Sequence, residues 1–329
     1  MRSEYRILLV TNMWPYFADP SYGSFIKEQA ESLRPFGVEY DLLFINGREA
    51  KWNYTRGARE LHRALRQGRY DLIHAHFGLS GCIARLQAHV PLVVTFHGDD
   101  VLGRPTKSGR ITFRGRFFQA SSFLLARSAA AVIVQSREMK EKLRLPRAEV
   151  IPCGIDLNLF QPMEQEKARA KLGLASGTKY VLFPYNPAEE RKRFDLVEEA
   201  VRLAGRTVPR LEILRVRGKP HAEIPLYMNA ADVLVMTSLI EGSPVAVKEA
   251  MAVNLPVVSV RVGDTAELMG ETEGCYLATR DPASIAAKIV EVCRRGQRTH
   301  GRDAIARLAI DNIARRIVEV YARVLSTRN

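Results

Sequence analysis

The chain has 329 residues, 47% of them apolar, and 49 Lys+Arg against 36 Asp+Glu give a net charge of +13. The length suits about two ordinary domains, and the apolar share belongs to a chain with cores to bury, which excludes a disordered protein. The charge suits anionic partners (phosphorylated ligands, an acidic membrane surface or nucleic acid) without choosing among them.

The first apolar stretch, Arg6-Ile-Leu-Leu-Val10, is too short for a signal peptide and reads as a strand. No uninterrupted apolar run approaches the roughly 20 residues of a membrane span, so any membrane contact is expected to be peripheral. Further strand-like runs follow at Tyr40–Ile45, Leu72–His76, Leu92–Phe96 and Ala131–Gln135. Helical patterns lie between them, around Ser24–Arg34, Ala58–Gln67, Gly81–Ala88, Phe117–Ala126 and Glu138–Leu145. A boundary is expected near Ile151-Pro-Cys-Gly-Ile-Asp156, where a strand end, a proline and a glycine meet. The rhythm then repeats with Tyr180–Phe183, Leu211–Val216, Asp232–Met236, Pro256–Val260 and Gly274–Leu277, and a helical pattern closes the chain from about Asp311 to Ser326. Alternating strands and helices predict parallel sheets with crossover helices. The fold class is α/β: two Rossmann-like, doubly wound domains facing across a cleft, at 1–157 and 158–310, with 311–329 a helix that packs back on the first domain. The four cysteines, Cys82, Cys153, Cys275 and Cys293, form no C-x-x-C pair. They fit neither a disulfide framework nor a zinc site, and a cytoplasmic location is expected.

Ligands of doubly wound sheets sit at the carboxyl ends of the strands, and the candidate residues cluster there. Gly23 lies between the first strand and the first helix, where a glycine lets the backbone approach a phosphate or sugar, or simply turns the chain. The loop is not G-x-G-x-x-G, so a nicotinamide site is not indicated. His74 and His76, read as lying on adjacent faces of their strand, lack a third ligand nearby, and a core or lining role is expected over a metal site. His97 ends the strand Leu92–Phe96, and Asp99 and Asp100 follow, either to orient an acceptor or to cap the next turn. Arg191, Lys192 and Arg193 follow the strand at Tyr180 and offer cations to a departing anion. Glu241-Gly242-Ser243-Pro244 leads from an apolar strand into a helix that carries Glu249. Ser243 is the expected N-cap and Pro244 the first helical residue. Such a helix start favours a phosphate, and the two carboxylates suit the hydroxyls of a sugar or ribose, which together describe a nucleotide sugar. Basic and aromatic residues run from Arg104 to Phe118, and Arg56, Arg59, Arg63 and Arg66 share one side of a helix. These suit an anionic membrane surface or an acidic acceptor.

In this order, Tyr22-Gly-Ser-Phe25 with Glu28-Gln29, Asp71-Leu-Ile-His-Ala-His76, Thr95-Phe-His-Gly-Asp-Asp100, Ile151–Asp156 and the E-x7-E of Glu241 to Glu249 resemble the retaining glycosyltransferases of family 4, with the GT-B fold. The resemblance implies a nucleotide-diphosphate sugar, UDP- or GDP-linked, as co-substrate, with no metal required. The implied acceptor is a glycan, lipid-linked or small-molecule hydroxyl, and a cytoplasmic protein in peripheral contact with the inner face of the membrane is the expectation. It implies a catalytic group of His97, Glu241 and Lys192. Gly23, Arg191, Arg193, Gly242, Ser243, Pro244 and Glu249 are implied around the donor, with Asp99 and Asp100 on the acceptor side. The family's usual arginine position falls near Asn186-Pro187 and is not basic here, and Arg193 replaces the glycine after its lysine. A nucleotide-sugar epimerase or hydrolase on the same fold is the alternative. A basic nucleic-acid-binding protein is the distant one, since no helix-turn-helix, RNP or zinc-finger pattern is present.

Overall fold

A computed structural model describes residues 5–107 and 109–327; residues 1–4, residue 108 within the basic segment, and residues 328–329 at the end of the expected closing helix lie outside it. The chain forms two compact units. The first runs to Arg104, resumes over Ile111–Gly154 and takes in the closing segment from Ile310. The second comprises Pro105–Arg110 and Ile155–Ala309.

The first unit is built on six parallel strands: β1 (Tyr5–Thr11), β2 (Val38–Phe44), β3 (Leu72–His76), β4 (Leu92–Phe96), β5 (Ala131–Val134) and the short β6 (Glu149–Val150). Their spatial order is β2-β1-β3-β4-β5-β6, so the winding direction reverses between β1 and β3. Residues Ile7–Val10, Leu72, Ile73 and Val93 to Phe96 are almost fully buried, as expected of strands covered by helices on both faces. The closing helix, Ile310–Ser326, belongs to this unit, and its buried Tyr321 reaches the side chain of His74.

The second unit has five parallel strands, β7 (Lys179–Phe183), β8 (Leu211–Arg215), β9 (Val233–Met236), β10 (Val257–Val260) and β11 (Cys275–Ala278), in the order β11-β10-β9-β7-β8. Its winding reverses between β7 and β9, and a core of Val181, Phe183, Val233, Val235 and Val258 packs against Val197, Ala200, Ile285 and Ile289 of two covering helices. Strand existence follows the sequence expectations closely. Helix starts do not: Asn53–Gln67 and Phe113–Ser128 each begin several residues earlier than the apolar pattern suggests. For the second the cause is a cap, since the Thr112 hydroxyl accepts the Gly115 N–H. Among the described residues no helix is long and apolar enough to cross a membrane.

Candidate functional site

The second unit gathers its candidate residues at the carboxyl ends of β7 and β9, where its winding direction reverses and where ligands of open parallel sheets lodge. The chain leaving β7 forms a short 3-10 turn, Glu190–Lys192, before the helix Phe194–Ala204. The chain leaving β9 clamps this turn. The Thr237 hydroxyl lies 2.7 Å from the Lys192 carbonyl, and the Leu239 N–H donates to the Arg191 carbonyl. That clamp fixes Lys192 as a buried side chain whose Nζ lies 2.5 Å from Glu241 Oε1 and 3.6 Å from the centre of the Tyr185 ring. Arg191 adds a second cation, its Nη1 being 3.8 Å from the same carboxylate oxygen. Burial disfavours charge on both partners. It lowers the Lys192 ammonium from its ordinary value, whereas at Glu241 the field of Lys192 and Arg191 overcomes burial and holds the carboxyl below its ordinary value. Two cations, Lys192 and Arg191, therefore flank this carboxylate, and Arg191 also meets Glu189 at 3.2 Å.

Arg193, which stands where the resembled family has glycine, adopts φ 52°, ψ 49°, a left-handed conformation that explains a glycine's usual presence. Its guanidinium is engaged by Asp195 at 3.0 Å, whereas Arg191, itself 3.2 Å from Glu189, is the one that reaches the Glu241 carboxylate.

The helix after Glu241 begins at Val245 with Pro244 as its cap residue, which corrects the expectation for Ser243 and Pro244 by one position. Ser243 does not cap the helix. Its hydroxyl donates to Asp264 Oδ2 at 2.7 Å and receives Lys248 Nζ at 3.1 Å, a buried relay that fastens the Glu241–Pro244 turn to the loop after β10. Gly263, at φ 53°, closes the same contact. A Cβ there would stand 2.8 Å from the Gly242 carbonyl oxygen. Glu249 is buried on this helix, and its Oε1 lies 2.6 Å from Nε2 of His221, whose ring lies tilted against Phe160. Sequence reading passed over His221. It lies 28 positions from Glu249 in a loop with no recognisable spacing, and only the fold joins the two.

The first unit assembles a second group. His97 leaves β4 and places Nε2 2.9 Å from Nδ1 of His76, with the rings stacked. Both Asp100 oxygens receive the His97 N–H, and Oδ1 also receives that of Gly98, so Asp100 shapes the loop as a cap. Burial nevertheless raises its carboxyl to about 6. Asp99 lies on the next turn, partly buried. His74 and His76 share one face of β3, two residues apart, rather than adjacent faces, and their ring centres are 4.4 Å apart. His74 is enclosed by Tyr321 Oη at 2.6 Å and Thr95 Oγ1 at 2.7 Å, and burial pushes it down to about 3. Gly23, at φ 75°, precedes the first helix, and a Cβ there would meet the Met13 carbonyl carbon at 2.6 Å. Only glycine fits that crossing of backbones. The sequence-named residues thus form two groups, Arg191, Lys192, Glu241–Pro244 and Glu249 in the second unit and His97 with Asp100 in the first.

Two family models tile this chain, Glycosyltransferase Family 4 over residues 7–159 and Glycosyl transferases group 1 over residues 186–295. The chain belongs to the family 4, group 1 glycosyltransferases. Among relatives, the glycosyltransferase TuaC of Bacillus subtilis (strain 168), named for teichuronic acid biosynthesis, is 29% identical over 242 residues, covering 67% of this chain. The matched stretch spans only 60% of TuaC's length. A D-inositol 3-phosphate glycosyltransferase of Xylanimonas cellulosilytica is 28% identical over 326 residues, covering 82% of this chain and 75% of that one. Solved structures of the same fold include sucrose-phosphate synthase from Thermosynechococcus elongatus (19% identity, TM-score 0.77, 98% of this chain and 99% of that). Another is Anabaena HepE in complex with UDP and glucose (18% identity, TM-score 0.73, 97% and 100%). With these neighbours the two parallel-sheet units are those of a GT-B glycosyltransferase.

Proposed function

We propose that this glycosyltransferase moves a sugar from a nucleoside-diphosphate donor to an acceptor hydroxyl with retention at the anomeric carbon. The observation that carries the reading is the cationic turn of Arg191 and Lys192 set against Glu241 beside a helix start, with Glu249 on that helix. The diphosphate would take the amides at the start of helix Val245–Ala252 and the two cations. As the bond from anomeric carbon to phosphate oxygen breaks, charge grows on that oxygen, and groups already fixed by Thr237 and Leu239 meet it without rearranging. The same oxygen then accepts the proton of the attacking hydroxyl on the same face, so no covalent carboxylate intermediate and no metal is needed. Glu241 accepts hydrogen bonds from the sugar, and Glu249, oriented by His221, accepts from the ribose diol.

HepE is solved with UDP-glucose, which supports a nucleotide-sugar donor here. His97, aligned by His76 and by the Asp100 cap, faces the transferring sugar in this reading, with Asp99 and Asp100 on the acceptor side. The acceptor is assigned to glycoconjugate synthesis as a class. The test is transfer from UDP-glucose and GDP-mannose by Glu241→Ala and Lys192→Met variants that keep the wild-type fold. Both are expected to lose about a hundredfold or more in kcat/KM, the scale of removing one preorganised electrostatic group. Unchanged transfer by either variant would contradict the reading.

A further inference from the structure

Four crossover helices of the first unit cover one face of its sheet: Asn53–Gln67, Gly78–Ala84, Phe113–Ser128 and Arg137–Leu143. They belong to the crossovers β2 to β3, β3 to β4, β4 to β5 and β5 to β6, which right-handedness places on a single face, and the first three pack side by side in that order. The helix Phe113–Ser128 carries an apolar row on its outer side. Ser122, Leu125 and Ala126 are buried against the unit. On the opposite side, Phe113, Phe117 and Leu124 recur at helical spacing and are 89%, 63% and 72% exposed. Single exposed apolar residues are ordinary, but an aligned row on one helix marks a contact surface.

The charge of this layer identifies what it meets. Arg114, Arg116 and Arg127 flank the row, and the helix holds no acid. The helix Asn53–Gln67 presents exposed Arg56, Arg59, Arg63 and Arg66, with one acid, Glu60, paired to Arg56. The fourth helix, Arg137–Leu143, sets Glu138 and Glu141 among Arg137, Lys140 and Lys142, so the excess of arginine lies on the Asn53–Gln67 and Phe113–Ser128 helices. The opposite face is mixed as well: its helices Ser24–Leu33 and Ile310–Ser326 place Glu28, Glu31, Asp311 and Glu319 among their cations. We infer that the side of the first unit formed by the Asn53–Gln67 and Phe113–Ser128 helices docks on an anionic lipid bilayer, with Phe113, Phe117 and Leu124 entering the acyl boundary and the flanking arginines on headgroup phosphates. An apolar row with basic flanks is the pattern of a helix lying in the membrane interface. A nucleic-acid surface would also use arginines and aromatic rings, but aliphatic Leu124 inserts into acyl chains and offers no plane to a base. This assignment is independent of the sugar-transfer reading, because vesicle binding reports no turnover.

The experiment is co-sedimentation of the full chain with phosphatidylglycerol and phosphatidylcholine vesicles. Binding is expected to phosphatidylglycerol only. Phe113→Ser/Phe117→Ser/Leu124→Ser, which changes only exposed side chains, is expected to weaken it about tenfold or more at an unchanged melting temperature. Arg114→Gln/Arg116→Gln/Arg127→Gln is expected to weaken it by a similar factor and to flatten its salt dependence. Equal binding to both lipids, phosphatidylglycerol binding indifferent to the triple serine variant, or tighter binding to a single-stranded oligonucleotide through the same residues would overturn the assignment. So would a lipid-free dimer abolished by the serine variant.

Discussion

Lowering the pH from 7 to 5 is expected to destabilise the first unit by about 1 kcal/mol or more, chiefly through His74 and His76. Both imidazoles are almost fully buried, and burial lowers both from the ordinary 6.5, His74 to about 3 and His76 also well below. In the unfolded chain each takes up a proton as the pH falls through 6.5, while in the folded unit each stays neutral. Their contribution is intact above 6.5 and is lost on acidification, at about 2 kcal/mol for His74 by pH 5, with His76 acting in the same direction. Asp100 acts in the opposite sense. Burial raises it from 3.8 to about 6, so its ionised form burdens the folded unit at pH 7, and protonation relieves about 1 kcal/mol of that by pH 5. Asp41, held low by the Tyr70 hydroxyl and by Arg6, adds little before the pH approaches 4. The assay is urea unfolding followed by tryptophan fluorescence, which reports this unit alone because the chain's two tryptophans, Trp14 and Trp52, both lie in it. His74→Gln should lower stability at pH 7 but remove the part of the acid loss that His74 contributes, about 2 kcal/mol. A stability that is flat between pH 7 and 5, or a loss unchanged by His74→Gln, would refute the argument.

Arg193 carries a measurable conformational cost. Arg193→Val is expected to destabilise the second unit by about 1–2 kcal/mol, since a β-branched residue resists φ 52°. Arg193→Gly is expected to stay within about 1 kcal/mol of wild type, because relief of the left-handed strain offsets the lost Asp195 contact and the greater freedom of the unfolded chain; denaturant midpoints of the second unit check both. His221→Ala removes the partner that holds the Glu249 carboxylate and is expected to raise the donor KM about five- to tenfold with kcat nearly unchanged, on the scale of one hydrogen bond to a charged group. A fall in kcat at constant KM would assign His221 a different role.

The strands were legible because buried parallel strands are continuous apolar runs, as in Ile7–Val10 and Val233–Met236. Glu241 and Glu249 were legible because their spacing is fixed by one turn and one helix. What was not legible depends on tertiary partners. Ser243 has the composition of a helix cap, yet it is drawn to Lys248 and to Asp264, 21 residues away. His221 finds Glu249, and His74 finds Tyr321 across 247 residues, only once the sheet and the closing helix have formed. The placement of Arg191 and Arg193 was equally hidden in the sequence, since the direction of a 3-10 turn sets Arg191 beside Glu241 and Arg193 beside Asp195.

The central claim is that the second unit's β7 and β9 loops hold the donor's charged tail. It is tested most directly by a crystal structure of the chain with UDP-glucose, or with GDP-mannose if that ligand raises the melting temperature more. The account predicts the diphosphate within hydrogen-bond distance of Lys192 Nζ and of backbone amides between Gly242 and Ala246, with a ribose hydroxyl on Glu249. A nucleotide sugar ordered elsewhere on the chain, with those groups untouched, would contradict it.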